Sequence, residues 1–128
     1  VEKDWKKAII LAAKPLVEDG SVKNSYIDAM IANVEKFGTY IVIAPKVAMP
    51  HSRPEDGVNK NCVSMLKINE GVIFEGEEEK VYVFFVLGAV NSDSHIETLM
   101  ELMELIEDEE KIDEIIKART IQEIMDLI

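Results

Sequence analysis

The chain is poor in the residues that usually announce a covalent scaffold or a metal centre. Its 128 residues include one cysteine, Cys62, so no intramolecular disulfide can form. That fits a reducing compartment. There are two histidines, His51 and His95, and two arginines, Arg53 and Arg119. No CxxC or HxxxH spacing exists, so no metal site is indicated. Neither GxxxxGK[ST] nor GxGxxG occurs, which removes the common nucleotide-binding loops. Ser52 has no GxSxG context. The longest apolar run, Val81 to Val90, is too short for a transmembrane helix. No repeat, low-complexity segment or Gly/Ser/Pro-rich linker divides the chain, and one domain over 1–128 is expected. No signal peptide is visible, and the missing initial Met suggests that upstream residues have been removed or omitted. A cytoplasmic protein is the simplest expectation.

Positive charge is also scarce. Fourteen Lys and Arg face 25 Asp and Glu, a formal charge of −11. Such a surface repels nucleic acid and anionic lipid, so neither is an expected partner. A local patch can still dock a phosphorylated protein.

What is present is a clear alternation of helical and extended patterns. Trp5 to Glu18 carries Ala8, Ile9, Ala12 and Leu16 at helical spacing, with Pro15 weakening it and Gly20 ending it. Asn24 to Phe37 repeats Ile27, Met30, Ile31, Val34 and Phe37, with Asn24 or Ser25 as the cap and Gly38 as the stop. Thr39 to Ala44 reads as a short buried strand, and Val47 to Met49 as another extended piece. Asn61 to Ile68 reads as a strand holding Cys62 as a small buried hydrophobe, and Gly71 to Gly76 as a turn-rich connection. Val81 to Leu87 is continuously apolar and marks a central strand covered on both faces.

Helices are then expected over His95 to about Ile106, Glu109 to Lys117 and Ile121 to Ile128. In the first of these, Ile96, Leu99, Met100, Met103 and Ile106 form the core face. Thr120 with Glu123, and Ser94 with Glu97, match the capping-box pattern. Helices, then strands, then helices indicate an α/β fold: a three-layer α/β/α sandwich with a mixed central sheet.

The chemistry concentrates in "MPHSRPEDG", Met49 to Gly57. Imidazole is a competent nucleophile near neutral pH when one ring nitrogen is unprotonated and the other is held. Arg53 offers a planar fork for phosphate oxygens. Pro50, Pro54 and Gly57 stiffen and turn the loop. His95 follows the most buried strand at a helix start capped by Ser94, where free N–H groups attract anions. Taken alone, the stretch also reads as a solvated turn of Pro, Asp and Gly.

The stretch "APKVAMPHSRPEDGV", Ala44 to Val58, resembles the EIIA domains of the mannitol/fructose-type superfamily (EIIA type 2) of the bacterial sugar phosphotransferase system (PTS), especially its ascorbate-specific branch. The resemblance extends through "VYVFFVLGAVNSDSH" to the closing "ARTIQEIMDLI". It implies that His51 carries a phosphohistidine intermediate, accepting phosphate from phospho-HPr and passing it to a cysteine of EIIB for sugar uptake. It implies that His95 orients or stabilises the phosphoryl group, with Arg53 and Ser94 as phosphate-binding candidates. Residues 24–44 contain no arginine, where mannitol-type members place one, so Arg53 is the candidate nearby. No metal or organic cofactor is implied, and a membrane EIIC would be reached only through partners. The alternatives are an EIIA-like regulatory module of a transcription regulator, and an anion-binding module that uses the His95 helix start without transfer.

Overall fold

The computed structural model describes residues 5–74, 77–91 and 96–127. In chain order the elements are helices α1 (Trp5–Glu18) and α2 (Asn24–Phe37), strands β1 (Val42–Ala44) and β2 (Val47–Ala48), a 3-10 turn (Pro54–Asp56), strands β3 (Cys62–Val72) and β4 (Val81–Gly88), and helices α3 (Ile96–Glu107), α4 (Glu109–Lys117) and α5 (Ile121–Leu127). The sheet order is β1-β2-β4-β3. β2 pairs antiparallel with β1 and parallel with β4, and β3 pairs antiparallel with β4.

β4 organises the packing because its side chains alternate between two cores. Val81, Phe84 and Val86 meet the α1/α2 layer, including Ala8, Ile9, Ala12, Tyr26 and Met30. Val83, Phe85 and Leu87 meet the α3/α4 layer, including Leu102, Ile106, Ile112 and Ile115. The result is a three-layer α/β/α sandwich around a mixed sheet. From Val83 to Leu87 the period of two is regular, whereas Val81 and Val83 face opposite cores across the register shift between Lys67 and Val72 on β3. Among the described residues, no helix is long and apolar enough to cross a membrane.

Several expectations change in detail. The run Thr39 to Ala44 is not a buried strand. Val42 N–H donates to Thr39 O, so its first half is a turn, and only Ile41 is deeply buried. β1 is a half-buried edge strand. Conversely, β3 runs on to Val72 where a turn was expected, because Val72 pairs with Val81 across a register shift. The α2 cap is Lys23, with no side-chain capping bond, since the Ser25 hydroxyl is used elsewhere. In α3 the core stripe is rotated. Leu102 and Ile106 are buried, Leu99 and Met103 are partly covered, and Met100 is 67% exposed.

The helix starts after the sheet behave as their sequences require. Asp108 caps α4 by accepting Lys111 N–H at 3.1 Å. Thr120 accepts Glu123 N–H at 3.1 Å, and the Glu123 carboxylate takes Arg119 N–H at 2.7 Å. That is a capping box displaced by one residue. The Ser94/Glu97 box involves Ser94, which lies outside the described residues.

The packing on β4 gives a direct test. Phe84 is fully buried, its ring 6.1 Å from that of Phe74. Phe84→Ala should lower the free energy of unfolding in urea by about 3–5 kcal/mol. A loss under about 1 kcal/mol would mean that β4 does not carry this core.

Candidate functional site

β2 and β4 run parallel, so their carboxyl ends lie side by side, where α/β sheets usually place ligands. The chain leaves β2 through Met49 and Pro50 into His51. Met49 N–H donates to Ile41 O at 2.8 Å, and Leu87 N–H donates to Pro50 O at 3.2 Å. The residues before His51 are therefore fixed from both sides.

His51 is half-buried. Its Nδ1 lies 2.8 Å from Met49 O. A carbonyl only accepts, so this bond puts the proton on Nδ1 and leaves the lone pair of a neutral ring on Nε2. The ring of Tyr40 packs against the imidazole at 5.7 Å between centroids and 84° between planes. Burial raises the Tyr40 phenol, while a hydrogen bond with Asn33 works the other way.

The residues after His51 are held by α2. The Tyr26 hydroxyl donates to Leu87 O at 2.5 Å and accepts Ser52 N–H at 2.9 Å. Asn33 Nδ2 donates to Ser52 Oγ at 3.0 Å, and Ser52 Oγ donates to Asp56 Oδ2 at 2.5 Å. Asp56 Oδ2 also accepts Arg53 N–H at 3.2 Å, which starts the 3-10 turn. Two bonds join that turn to the start of α2: Ser25 Oγ to Asp56 O at 2.9 Å, and Lys23 N–H to Gly57 O at 2.8 Å.

Gly57 is required at this junction for two reasons. Its φ is 138°, and an added Cβ would lie 2.7 Å from Ser25 Oγ and 3.2 Å from Tyr26 N. The loop is thus a rigid bracket clamped between β4 and α2.

Arg53 turns outward. Its side chain is 79% exposed, with Nε 3.5 Å from Glu55 Oε1, and it is its backbone N–H that belongs to the loop network. His95 and Ser94 lie outside the described residues, in the segment that follows β4. Cys62 is half-buried at the start of β3, and burial pushes its thiol up. It packs so tightly that a Cβ on Gly88 would lie 2.8 Å from its Sγ. Among the described residues no group of three His, Cys, Asp or Glu side chains could hold a metal. A cavity of about 720 Å³ lies between β3, α3 and α5, against Met65, Leu102, Ile121 and Ile124, and shares no lining residue with the loop.

Reading the sequence missed the support residues Tyr26, Asn33, Tyr40 and Asp56. A signal for two of them exists. Tyr26 and Asn33 are seven residues apart on α2, so both lie on one helix face beside Met30. Polar groups on that side need partners, and the His51 loop supplies them.

A carbonyl-anchored imidazole on a clamped loop, at the open end of a parallel strand pair in an α/β/α sandwich, is an arrangement suited to group transfer. The chain belongs to the family described as "Phosphoenolpyruvate-dependent sugar phosphotransferase system, EIIA 2", whose model matches residues 1–128. It is an EIIA component of a sugar phosphotransferase system, and such components are phosphotransferases. It is 37% identical over 126 residues to the ascorbate-specific PTS system EIIA component of Escherichia coli K12, spanning 97% of this chain and 82% of that protein. The solution structure of the mannitol-specific cryptic phosphotransferase enzyme IIA of Escherichia coli superposes with a TM-score of 0.91 at 34% identity, covering 98% of this chain and 85% of that one. A complex of mannitol enzyme IIA with phosphorylated enzyme IIB from Escherichia coli matches with a TM-score of 0.82 at 27% identity, over 98% and 88% of the two chains.

The bracket also predicts an alkaline limit. Burial pushes the Tyr26 phenol up to about 12. The unfolded phenol ionises near 10, so the folded state favours the neutral form. That contribution is complete below about pH 10 and is lost as pH rises through about 12, some 2–3 kcal/mol in all. Stability measured in urea at pH 9 and at pH 11.5 should fall across that window, and Tyr26→Phe should flatten the fall. An unchanged slope in the variant would dissociate Tyr26 from it.

Proposed function

We propose that His51 is the phospho-accepting residue of this EIIA component. The observation that carries the reading is the hydrogen bond between His51 Nδ1 and Met49 O. It selects the tautomer with an unprotonated Nε2 and keeps the imidazole facing out of a clamped loop. In the reaction the Nε2 lone pair attacks phosphorus as the N–P bond of a donor phosphohistidine breaks. The Nδ1 proton stays against Met49 O, which stabilises the positive charge that the phosphorylated ring acquires. Onward transfer forms an S–P bond to a cysteine thiolate as the Nε2–P bond breaks. His51 then returns to the neutral Nδ1–H form. No metal or organic cofactor enters either step, and rate comes from positioning and from charge stabilisation.

The donor is phospho-HPr and the acceptor is the EIIB component. The EIIB assignment is supported by the complex solved for the similar mannitol enzyme IIA. Contact with a membrane EIIC is indirect and the site of action is the cytoplasm. The 128 residues act as one EIIA domain. His95 orients or stabilises the phosphoryl group on His51, and Ser94 and Arg53 are the further phosphate ligands. Arg53 reaches the phosphate by giving up its exposed pairing with Glu55, an interaction weak enough to yield to a dianion. Identity to an ascorbate-specific relative favours a sugar acid as the transported compound.

Incubation with phosphoenolpyruvate, enzyme I and HPr should add one acid-labile phosphate, read by intact mass. His51→Ala should add none, and phosphate on that variant would overturn the assignment. His95→Ala should accept phosphate but pass it to EIIB slowly, whereas transfer at the normal rate would make His95 a bystander.

A further inference from the structure

The register of β2 on β4 extends into the loop. Val47 stands opposite Val83 and Ala48 opposite Phe84, so His51 stands opposite Leu87. In a parallel ladder the residue opposite accepts and donates to the two neighbours of its partner. One of those bonds is formed, from Leu87 N–H to Pro50 O at 3.2 Å. The other would run from Ser52 N–H to Leu87 O. In its place stands the Tyr26 hydroxyl, which takes Ser52 N–H at 2.9 Å and gives its own proton to Leu87 O at 2.5 Å.

We infer that Tyr26 is a positioning residue for phosphoryl transfer: its hydroxyl is a wedge inserted into the last rung of the β2–β4 ladder, holding His51 away from the sheet at the distance that transfer requires. This inference rests on His51 being the phosphorylated residue.

The physical argument has three parts. First, the wedge is fixed. Tyr26 is fully buried on α2, and its ring sits in the α1/α2 core. The hydroxyl therefore cannot follow the loop, and the loop must follow the hydroxyl. Second, the wedge is polar on both sides: it serves the Ser52 N–H and the Leu87 carbonyl, which in a regular ladder would bond to each other. Third, closing the rung directly would bring Ser52 N to about 3 Å from Leu87 O and draw the His51 backbone toward β4. The imidazole would shift by an ångström or more relative to a docked donor, and misplacement on that scale costs on the order of tenfold to a hundredfold in rate. A phenylalanine keeps the ring and the core but removes the wedge.

The test compares Tyr26→Phe with the wild-type protein in phosphorylation by phospho-HPr. The expected result is a fall of about tenfold or more in the transfer rate at saturating donor, with the half-saturating donor concentration unchanged. The far-ultraviolet circular dichroism should stay native, and the imidazole ¹⁵N resonances of His51 should move. A wild-type rate and unmoved imidazole resonances in a folded variant would overturn the wedge.

A second measurement needs no variant. In the wild-type protein the Tyr26 hydroxyl proton should exchange slowly with water and show a cross-relaxation peak to Ser52 N–H. A rapidly exchanging hydroxyl with no such peak would also overturn it. His51→Ala in the same assay separates the two ideas. If that variant is still phosphorylated, the site assignment fails. If it is inert and Tyr26→Phe transfers normally, only the wedge fails.

Discussion

The parallel contact between β2 and β4 is the constraint on which the His51 end of the molecule depends. It joins only Val47 and Ala48 to Val83 and Phe84, yet none of the four is exposed to water. Hydrogen bonds in such a place are not traded for water. Their direction is therefore imposed on whatever follows β2. Parallel neighbours also finish at the same edge, so the loop after β2 and the segment after β4 emerge together. His51 lies in the first of them.

A second layer of control comes from α2. That helix lends apolar groups to the core and polar groups to the loop from neighbouring positions. Met30 and Val34 pack inward, while Tyr26 and Asn33 reach across to residues 51–56. A helix packed this way has little freedom to slide, because its core contacts and its hydrogen bonds would have to break together. The loop borrows that stiffness. Pro50 and Pro54 remove backbone freedom within it, and Gly57 allows the close return to Ser25 and Tyr26.

How much of this was legible in the residues depends on which physical signal each part uses. β4 was plain because Val81 to Leu87 is uncharged and rich in β-branched and aromatic side chains, the composition of a strand covered on both faces. The helices were plain because their apolar spacing is regular, and α1 and α2 are also stopped by Gly20 and Gly38. β1 was overestimated, since a β-branched run does not reveal that its first residues are spent on a turn after Gly38. The face of α3 was misplaced because Leu99, Met100, Leu102 and Met103 are all apolar, and hydropathy alone does not choose among adjacent stripes. At the site, His51 was visible from its chemistry and from the family pattern. Its supports were not. A hydrogen bond such as Tyr26 to Leu87 spans 61 residues, and no local pattern encodes it.

Cys62 closes the account from a different direction. Its thiol is half-buried, pressed against Gly88 and pushed up by its surroundings. A thiol in that state is protonated at physiological pH and a poor nucleophile. Packed and protonated, the chain's one thiol offers neither a competing nucleophile nor a ready site of oxidation.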